Sequence, residues 1–187
     1  MERFFEVVSQ LSPLSAEGKQ ALADILQYHE VPKGYLLARA GTICNHLYFV
    51  ESGLTRTYYI KDEKDVTDWL SSEDSFACSV ISFISRTPDR RIIETLEPSV
   101  LWSLQYYELE QLCARYHDVE HFVRSLLSFG MIRMQKRFDD LHFATAAGRY
   151  NELMQTAPAL IQRVPLGILA SYLGMTQETL SRIRARL

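Results

Sequence analysis

Short β-forming segments between residues 31 and 105 are the feature that most restricts the fold of this 187-residue chain. They are rich in aromatic and β-branched residues and are separated by turns, several of which contain glycine. Many short strands at close turn spacing favour a sandwich or barrel and argue against alternating βαβ units. The predicted strands cover residues 35–37, 46–50, 54–60, 66–70, 92–96 and 100–104, and the charged residues 61–65 are predicted to form a hairpin tip.

Helical patterns flank this region on both sides. Residues 1 to about 28 are predicted to form two helices, with Ser15 as the N-cap of the second. Residues 106–115 are predicted to form a short helix, which a longer one follows from a cap at Asp118 to about His142. Thr145 is then predicted to cap a helix that ends near Thr156. The sequence therefore predicts an α+β fold, with N-terminal helices, a β jelly-roll barrel, a long helix and a helical C-terminal part.

The long predicted helix carries apolar residues and a glycine at steps of three or four, as a helix-length seam requires. Gly130 costs helix stability, so its presence indicates that another backbone comes close. A second copy of the chain is the predicted occupant, and packing on the chain's own barrel is the alternative. The predicted dimer interface consists of Val123, Leu127, Gly130, Met134, Phe138 and Leu141.

The charge is distributed unevenly along the chain, although its net value is only −3. Residues up to Gly130 include 12 Lys and Arg against 19 Asp and Glu, whereas residues from Met131 onward include 8 against 4. An acidic body with a basic C-terminal part is expected where only one module approaches phosphates.

The last twenty residues have the spacing of a helix-turn-helix. This motif needs a small residue where its helices cross, a left-handed turn residue four positions later and an apolar anchor six beyond that. Ala170, Gly174 and Leu180 stand at these offsets. Glycine takes a positive φ without steric cost, and Thr176 is a predicted N-cap for the second helix. The remaining inward contacts are predicted to come from Leu169, Leu173 and Ile183.

The outer face of the second helix is suited to reading bases. A recognition helix meets base edges with its N-terminal residues. Gln suits adenine, Arg suits the O6/N7 edge of guanine, and Glu accepts from cytosine N4. Arg184 and Arg186, further along, are predicted to hold phosphate. The candidate DNA-binding residues are Thr176, Gln177, Glu178, Thr179, Ser181, Arg182, Arg184 and Arg186. The alternative is a solvated amphipathic hairpin with no DNA role.

Residues 170–184, with the sequence ASYLGMTQETLSRIR, closely resemble the DNA-binding end of the Crp/Fnr family of bacterial transcription regulators. VPKG at 31–34, Gly41, LYFVESG at 47–53 and the strand with Tyr58-Tyr59 are similar to that family's cyclic-nucleotide-binding-type jelly roll. The resemblance covers nearly the whole chain. It implies an effector domain at 1–116, a dimerisation helix at 117–143 and a helix-turn-helix domain at 144–187. By position, Gln177, Glu178 and Arg182 match the family's base-reading residues.

Two departures from the family's pattern bear on ligand and DNA. Members that bind cyclic nucleotides carry Gly-Glu after a Phe and then Arg-Ser, but here Phe76-Ala77 is followed by Cys78-Ser79. The ribose-binding carboxylate is missing, so cyclic AMP binding is not predicted. The segment from Pro158 to Pro165 is also too short for the usual hairpin wing. The candidate effector-pocket residues are Tyr48, Arg56, Tyr58, Trp69, Phe76, Ser79, Arg90 and Arg91, the two arginines standing roughly where Arg-Ser should be.

Two other classes of function are alternatives to a regulator. A cupin-like metal-dependent enzyme would need converging histidines, but only His46 is expected within the strands, and His117 and His121 complete no recognisable site. A signalling adaptor with a decayed DNA module is disfavoured by the intact recognition face. We therefore predict no catalysis, no metal and no cofactor.

The expected protein is a homodimeric transcription regulator that binds a near-palindromic site in double-stranded DNA. RNA polymerase and an unknown small-molecule effector are candidate further partners. The three scattered cysteines fit a reducing cytoplasm and no iron–sulfur site, and the sequence has neither a signal peptide nor a membrane-spanning run. A cytoplasmic protein without membrane contact is therefore predicted.

Overall fold

A computed structural model describes residues 1–185 as two antiparallel β-sheets with helices before, between and after their strands. The first sheet has the strand order β1-β8-β3-β6 and the second the order β2-β7-β4-β5. Eight strands in two facing sheets form the predicted jelly roll. The strands are β1 (Gln27–Val31), β2 (Leu36–Ala38), β3 (His46–Ser52), β4 (Thr55–Lys61), β5 (Lys64–Ser71), β6 (Phe76–Ala77), β7 (Ile92–Thr95) and β8 (Ser99–Gln105).

The predicted helices occur in the predicted order, and the structure adds two short helices that were not predicted, at residues 80–85 and 158–163. Residues 106–115 form a helix with the predicted bounds, and the longest helix has 27 residues. The hydroxyls of Ser15 and Thr145 accept the N–H groups of Gly18 and Gly148, which confirms both predicted N-caps. The helices are α1 (Glu2–Leu11), α2 (Ala16–Ile25), α3 (Val80–Ser85), α4 (Tyr106–Arg115), α5 (His117–Phe143), α6 (Ala146–Thr156), α7 (Pro158–Arg163), α8 (Leu166–Tyr172) and α9 (Gln177–Arg184).

Two predictions about the first zone and the long helix are wrong. The helical zone ends at Ile25 rather than near Tyr28, because residues 27–31 pair with β8 and place Tyr28 opposite Trp102. Asp118 lies in the first turn of α5 rather than at its cap. One of its carboxylate oxygens accepts the backbone N–H of Ser15 at 2.7 Å, so the residue links the start of α5 to the start of α2.

Alternation along β3 separates two apolar layers. Tyr48 and Val50 pack with Leu101 in a small cluster between the sheets. Leu47 and Phe49 point the other way, into the larger cluster that includes residues of α1, α4 and α5. Its centre is aromatic, with Phe4 edge-on to Phe49 and Phe122 at ring-centroid distances of 5.5 and 6.5 Å. This layer holds α5 against the barrel. Among the helices of residues 1–185, none combines the length and hydrophobicity of a membrane span.

The aromatic layer predicts a contrast between two phenylalanines of α5. Phe122 is 0% exposed, so Phe122→Ala should lower the free energy of unfolding by about 3–5 kcal/mol. Phe143 is 82% exposed, and Phe143→Ala should change it by less than about 0.5 kcal/mol. Urea unfolding followed by circular dichroism, at one fixed protein concentration, measures both. Equal losses would show that α5 is not anchored through Phe122.

Candidate nucleic-acid interface

Helices α8 and α9 are joined by a tight turn that Gly174 makes possible. Gly174 has φ +64°, and the N–H of Met175 bonds to the carbonyl of Ala170 at 3.0 Å. The hydroxyl of Thr176 accepts the N–H of Thr179 at 3.2 Å, which confirms the predicted N-cap. Ala170 is 2% exposed where the two helices meet, and Leu180 is 0% exposed. Two short helices therefore cross as the spacing of these residues predicts.

The underside of this pair packs on the barrel as well as on α6 and α7. Leu54, Leu70 and Leu96 of the barrel belong to the same apolar cluster as Leu180. The N–H of Thr67 in β5 also donates to the hydroxyl of Ser171 in α8 at 2.8 Å. The cluster consists of Leu54, Leu70, Leu96, Tyr150, Leu153, Leu160, Val164, Leu169, Ala170, Leu173 and Leu180.

The opposite face of α9 lies in solvent. Four of its candidate base-reading residues, Gln177, Glu178, Ser181 and Arg182, are exposed, as is the capping Thr176, whereas Thr179 is half-buried. Within residues 1–185, the side chain of Arg182 donates only within its own helix, from Nε to the carbonyl of Glu178 at 3.4 Å. These side chains form one accessible surface, with an amide, a carboxylate and a guanidinium within six residues.

Of the two arginines predicted to hold phosphate, one contacts its own chain and the other is not described by the structure. Arg184 is half-buried, and its guanidinium donates to the carbonyl of Ile161 at 3.1 Å and lies 5.8 Å from the ring centroid of Tyr150. In this conformation it therefore braces α9 against α6 and α7. Arg186 lies outside the described residues.

Several basic side chains of the C-terminal part bond to carbonyl or carboxylate groups of the protein itself. The charge count did not predict these contacts. The guanidinium of Arg149 donates to the carbonyls of Ala144, Leu173 and Gly174, so it ties the end of α5 to the turn between α8 and α9. Lys136 forms ion pairs with Asp140 and Glu152. These partners lie in other elements or in the next turn, and nothing in the local pattern marks Arg149 as a clamp.

Arg163, at the end of α7, joins the helical end of the chain to the barrel. Two of its nitrogens each lie 2.8 Å from an oxygen of Glu73, and one of them also contacts Glu97. Hydrogen bonding to Arg163 is the largest cause that lowers the pKa of Glu73 from 4.5 to about 2. The carboxylate of Glu73 also accepts a hydrogen bond of 2.9 Å from the backbone N–H of Gly53. The sequence pattern does not predict this interface, because Glu97 and Glu73 precede Arg163 by 66 and 90 residues.

The candidate effector residues of β4, Arg56 and Tyr58, form an ionic cluster with carboxylates of the same sheet. Arg56 is buried, donates from Nε to Glu94 and from a terminal nitrogen to Asp65 at 2.9 Å, and lies 3.8 Å from the ring centroid of Tyr58. Its charge is thus balanced by side chains of the same sheet. Tyr48 lies between the sheets instead, where its hydroxyl donates to the carbonyl of Leu37 at 3.2 Å.

The other candidate effector residues are divided among four places. Arg91 is paired with Asp68 and Asp89, at 2.6 and 3.0 Å, and Ser79 donates to the same oxygen of Asp89 at 2.5 Å. The guanidinium of Arg90 is exposed over the ring of Tyr59 at 4.2 Å. Phe76 packs in the outer aromatic layer, and Trp69 lies beside Arg133 of α5. The structure therefore does not bring the eight candidates into one pocket.

The histidines of the strand region do not form a metal site. His29 lies in β1, so His46 is not the only histidine among the strands as expected. His29 bonds to the hydroxyl of Ser103 at 2.8 Å, and the ring of His46 lies 5.7 Å from that of Tyr48. Across residues 1–185, no group of three His, Cys, Asp or Glu side chains is placed to hold a metal ion.

The apolar seam of α5 is open in the single chain. Leu127, Met134 and Phe138 are exposed, and a β-carbon at Gly130 would meet no described atom within 4 Å. Leu141 is partly engaged by its own chain, since a β-carbon at Gly174 would lie 2.7 Å from its Cδ2. Val123 packs partly against the helix-covered core. The middle of the seam is therefore free for a partner, and its two ends are shared with the rest of the chain.

Comparison with known proteins shows which folds the chain resembles. Residues 28–116 match the family model of the cyclic nucleotide-binding domain. No curated protein sequence matches the chain. Among solved structures, FixK2 from Bradyrhizobium japonicum has a TM-score of 0.76 at 16% identity, over 87% of this chain and 84% of that one.

Two further structures are similar over most of their length. The c-di-GMP-responsive global regulator CLP from Xanthomonas campestris has a TM-score of 0.70 at 19% identity, covering 92% of this chain and 91% of its own. A Crp/Fnr-family transcriptional regulator from Eubacterium rectale has a TM-score of 0.71 at 18% identity, covering 92% and 83%. The fold that the resemblance to the Crp/Fnr family implies is thus confirmed: residues 28–116 match the cyclic nucleotide-binding domain, and nearly the whole chain shares the fold of these solved structures.

The contact between Arg163 and Glu73 predicts how stability depends on pH. The pKa of Glu73 is lowered to about 2, so its ion pair contributes fully above about pH 4.5 and is lost as the pH falls from there towards 2. The Tm of the wild type should therefore fall more steeply over this range than that of Glu73→Gln. Thermal unfolding followed by circular dichroism measures both slopes.

Glu63→Gln, at the exposed tip of the β4–β5 hairpin, is the matched control and should keep the slope of the wild type. If Glu73→Gln also kept that slope, Arg163 would not hold the helical end to the barrel in solution.

Proposed function

We propose that the chain is a sequence-specific DNA-binding transcription regulator of the Crp/Fnr type, which acts as a homodimer. The observation that carries this proposal is the orientation of α9. Leu180 is fully buried beneath the helix pair, while Gln177, Glu178 and Arg182 face solvent on the other side. A helix in this position, with base-reading side chains at its N-terminal end, can enter a major groove.

The exposed face offers three kinds of base contact. Arg182 would form a bidentate bond with guanine, Gln177 would bind adenine, and Glu178 would accept from cytosine N4. Ser181, Thr176 and Thr179 are proposed to make the smaller contacts at its edge. For phosphate contact, Arg184 would first have to leave the carbonyl of Ile161, and Arg186 keeps its predicted role.

The barrel is proposed to act by binding and not by catalysis, and its ligand is proposed to differ from cyclic AMP. The position that would hold a ribose lacks a carboxylate, since Cys78-Ser79 follows Phe76-Ala77. Arg91, which stands near the position of a phosphate-binding arginine, is already neutralised by Asp68 and Asp89. An anion in that place would have to displace two carboxylates of the chain itself.

Two copies are proposed to pair through the seam of α5. Each copy would then present one α9, and the two helices would enter successive major grooves about 34 Å apart, on a near-palindromic site. Double-stranded DNA and the second copy are the proposed partners, in the cytoplasm and without membrane contact. RNA polymerase and a small-molecule effector stay predictions.

Substitution of Arg182 tests the register of the recognition helix. After the preferred site has been selected from random duplex DNA, Arg182→Ala should weaken binding to it by about 1–3 kcal/mol and relax the preference at one base position. Fluorescence anisotropy against the site and its single-base variants measures both effects.

Arg115→Ala, at the end of α4 and remote from α9, is the control and should leave affinity and preference unchanged. Loss of affinity without any change of base preference in Arg182→Ala would show that Arg182 contacts phosphate rather than a base.

A glutamate on the seam of α5 tests the dimer. Leu127 is 42% exposed on the seam, and Leu127→Glu would place two charges in an apolar interface, so we expect dissociation to monomers. Ile132 is 67% exposed on the opposite side of the same helix, and Ile132→Glu should leave the dimer intact. Sedimentation velocity at several concentrations measures the mass. The reverse result would place the interface on the other face of α5.

A further inference from the structure

A cleft opens where β5, α5, α6 and the end of α8 come together. It has a volume of about 260 Å³, and its charged and aromatic lining includes Trp69, Arg133, Lys136, Arg137, Arg149 and Tyr172. Asp140 and Glu152 are its two carboxylates, and both are engaged by Lys136. With four cationic side chains against two carboxylates, the cleft has an excess of positive charge.

Two of these cations have no carboxylate partner in the part of the chain that the structure describes. The guanidinium of Arg133 lies 4.9 Å from the ring centroid of Trp69, and that of Arg137 lies 4.1 Å from the ring centroid of Tyr172. Arg137 donates a hydrogen bond of 2.8 Å to the carbonyl of Tyr172, which is neutral. Asp68, the further carboxylate near Arg137, is paired with Arg91.

Burial of a guanidinium without a paired carboxylate is unfavourable, and Arg137 shows this effect. Burial lowers the pKa of its guanidinium, although the side chain of Tyr172 and the more distant carboxylates of Asp68 and Asp140 oppose that effect. A partly buried cation that lacks a counter-ion is unfavourable unless a ligand supplies one. Arg149 adds a third positive charge, since its hydrogen bonds within residues 1–185 go to the carbonyl oxygens of Asp140, Ala144, Leu173 and Gly174.

The cleft stays accessible in the proposed dimer. Arg133, Lys136 and Asp140 lie about 100–160° around α5 from Met134, which is on the seam, whereas Arg137 lies about 20° from Gly130 and contacts Tyr172 of its own chain. A second copy paired through the seam would therefore leave Arg133, Lys136 and Asp140 uncovered. The DNA-reading face of α9 also points away from the cleft, because the lining of the cleft reaches α8 only at Tyr172 and includes no residue of α9.

We propose that this cleft binds a small dianion, with phosphate or carboxylate groups held by the guanidinium groups of Arg133 and Arg137. The two arginines are four residues apart on α5, so their β-carbons are about 5–6 Å apart and one compact ligand reaches both. Guanidinium groups bind phosphate and carboxylate alike through paired N–H donors. The aromatic rings of Trp69 and Tyr172 hold the planar groups in place from behind.

The position of the site gives it a consequence, which rests on the proposed function. Its lining comes from the barrel, the long helix, α6 and the end of α8, so a bound dianion contacts elements that support α9. Such a ligand shifts the arrangement of these parts only as far as it binds one arrangement better than another. The anion site therefore lies at the junction of the domains instead of inside the barrel.

Tryptophan fluorescence tests the binding directly. The chain has two tryptophans, and Trp102→Phe leaves Trp69 as the only reporter. We expect sodium phosphate or sodium succinate, titrated at about pH 8 and at constant ionic strength with sodium chloride, to change the Trp69 emission saturably. Response to phosphate alone identifies a phosphate ligand, and response to succinate alone identifies a dicarboxylate; either result supports the site.

Variants in the same background locate the response. Arg137→Gln and Arg133→Gln should each raise the half-saturating concentration at least about tenfold. Arg124→Gln, exposed on α5 outside the cleft, should leave it unchanged. Circular dichroism checks the fold of each variant, and the more exposed Arg133→Gln decides if Arg137→Gln is unfolded.

The proposal is overturned if neither anion gives a saturable change, or if both arginine variants respond like the Arg124→Gln control. No DNA is present in this experiment. A negative result in the Trp69 titration therefore does not bear on the proposal of DNA binding. A negative result in the Arg182 test likewise does not bear on the anion site.

Discussion

Burial of Leu180 is the contact on which the functional reading of the chain depends. Leu180 lies fully enclosed among leucines of α8 and three leucines of the barrel, so α9 cannot turn about its axis without opening that cluster. Because successive residues of a helix are rotated by about 100°, fixing one side chain inward fixes the direction of all the others. The exposure of Gln177 and Arg182 is therefore a consequence of apolar packing beneath them.

The same cluster makes the barrel part of the platform for α9. Leu54, Leu70 and Leu96 contribute apolar surface, and burial of each is worth about 1.5–3 kcal/mol. The half-exposed ion pairs of Arg163 are worth less, about 0–1 kcal/mol for such pairs, but they select one position of α7 against Glu73 and Glu97. Apolar contact thus supplies the strength of the interface, and the charged contact supplies its register. Any signal from barrel to α9 has to act on both.

Features set by neighbouring residues were predictable from the sequence, and features set by distant ones were not. The caps at Ser15, Thr145 and Thr176 and the turn at Gly174 follow from hydroxyl chemistry and backbone freedom within a few residues. Tyr28 is in a strand only because β8, more than seventy residues later, pairs with it. For the same reason the carboxylate of Asp118 serves Ser15, and the guanidinium of Arg184 serves Ile161, although both residue types suit the roles predicted for them.

Charge shows this limit most clearly. The excess of basic residues after Met131 was interpreted as a surface for phosphate, yet Lys136, Arg149 and Arg163 are bound to carboxylates and carbonyls of the protein. Of the basic residues on α9, only Arg182 is free to meet DNA without rearrangement. A count of charges measures what a chain carries, whereas affinity for phosphate depends on the charges that reach solvent on one face. In the proposed dimer, general attraction of α9 to the DNA backbone would therefore be weaker than the charge count of the C-terminal part implies.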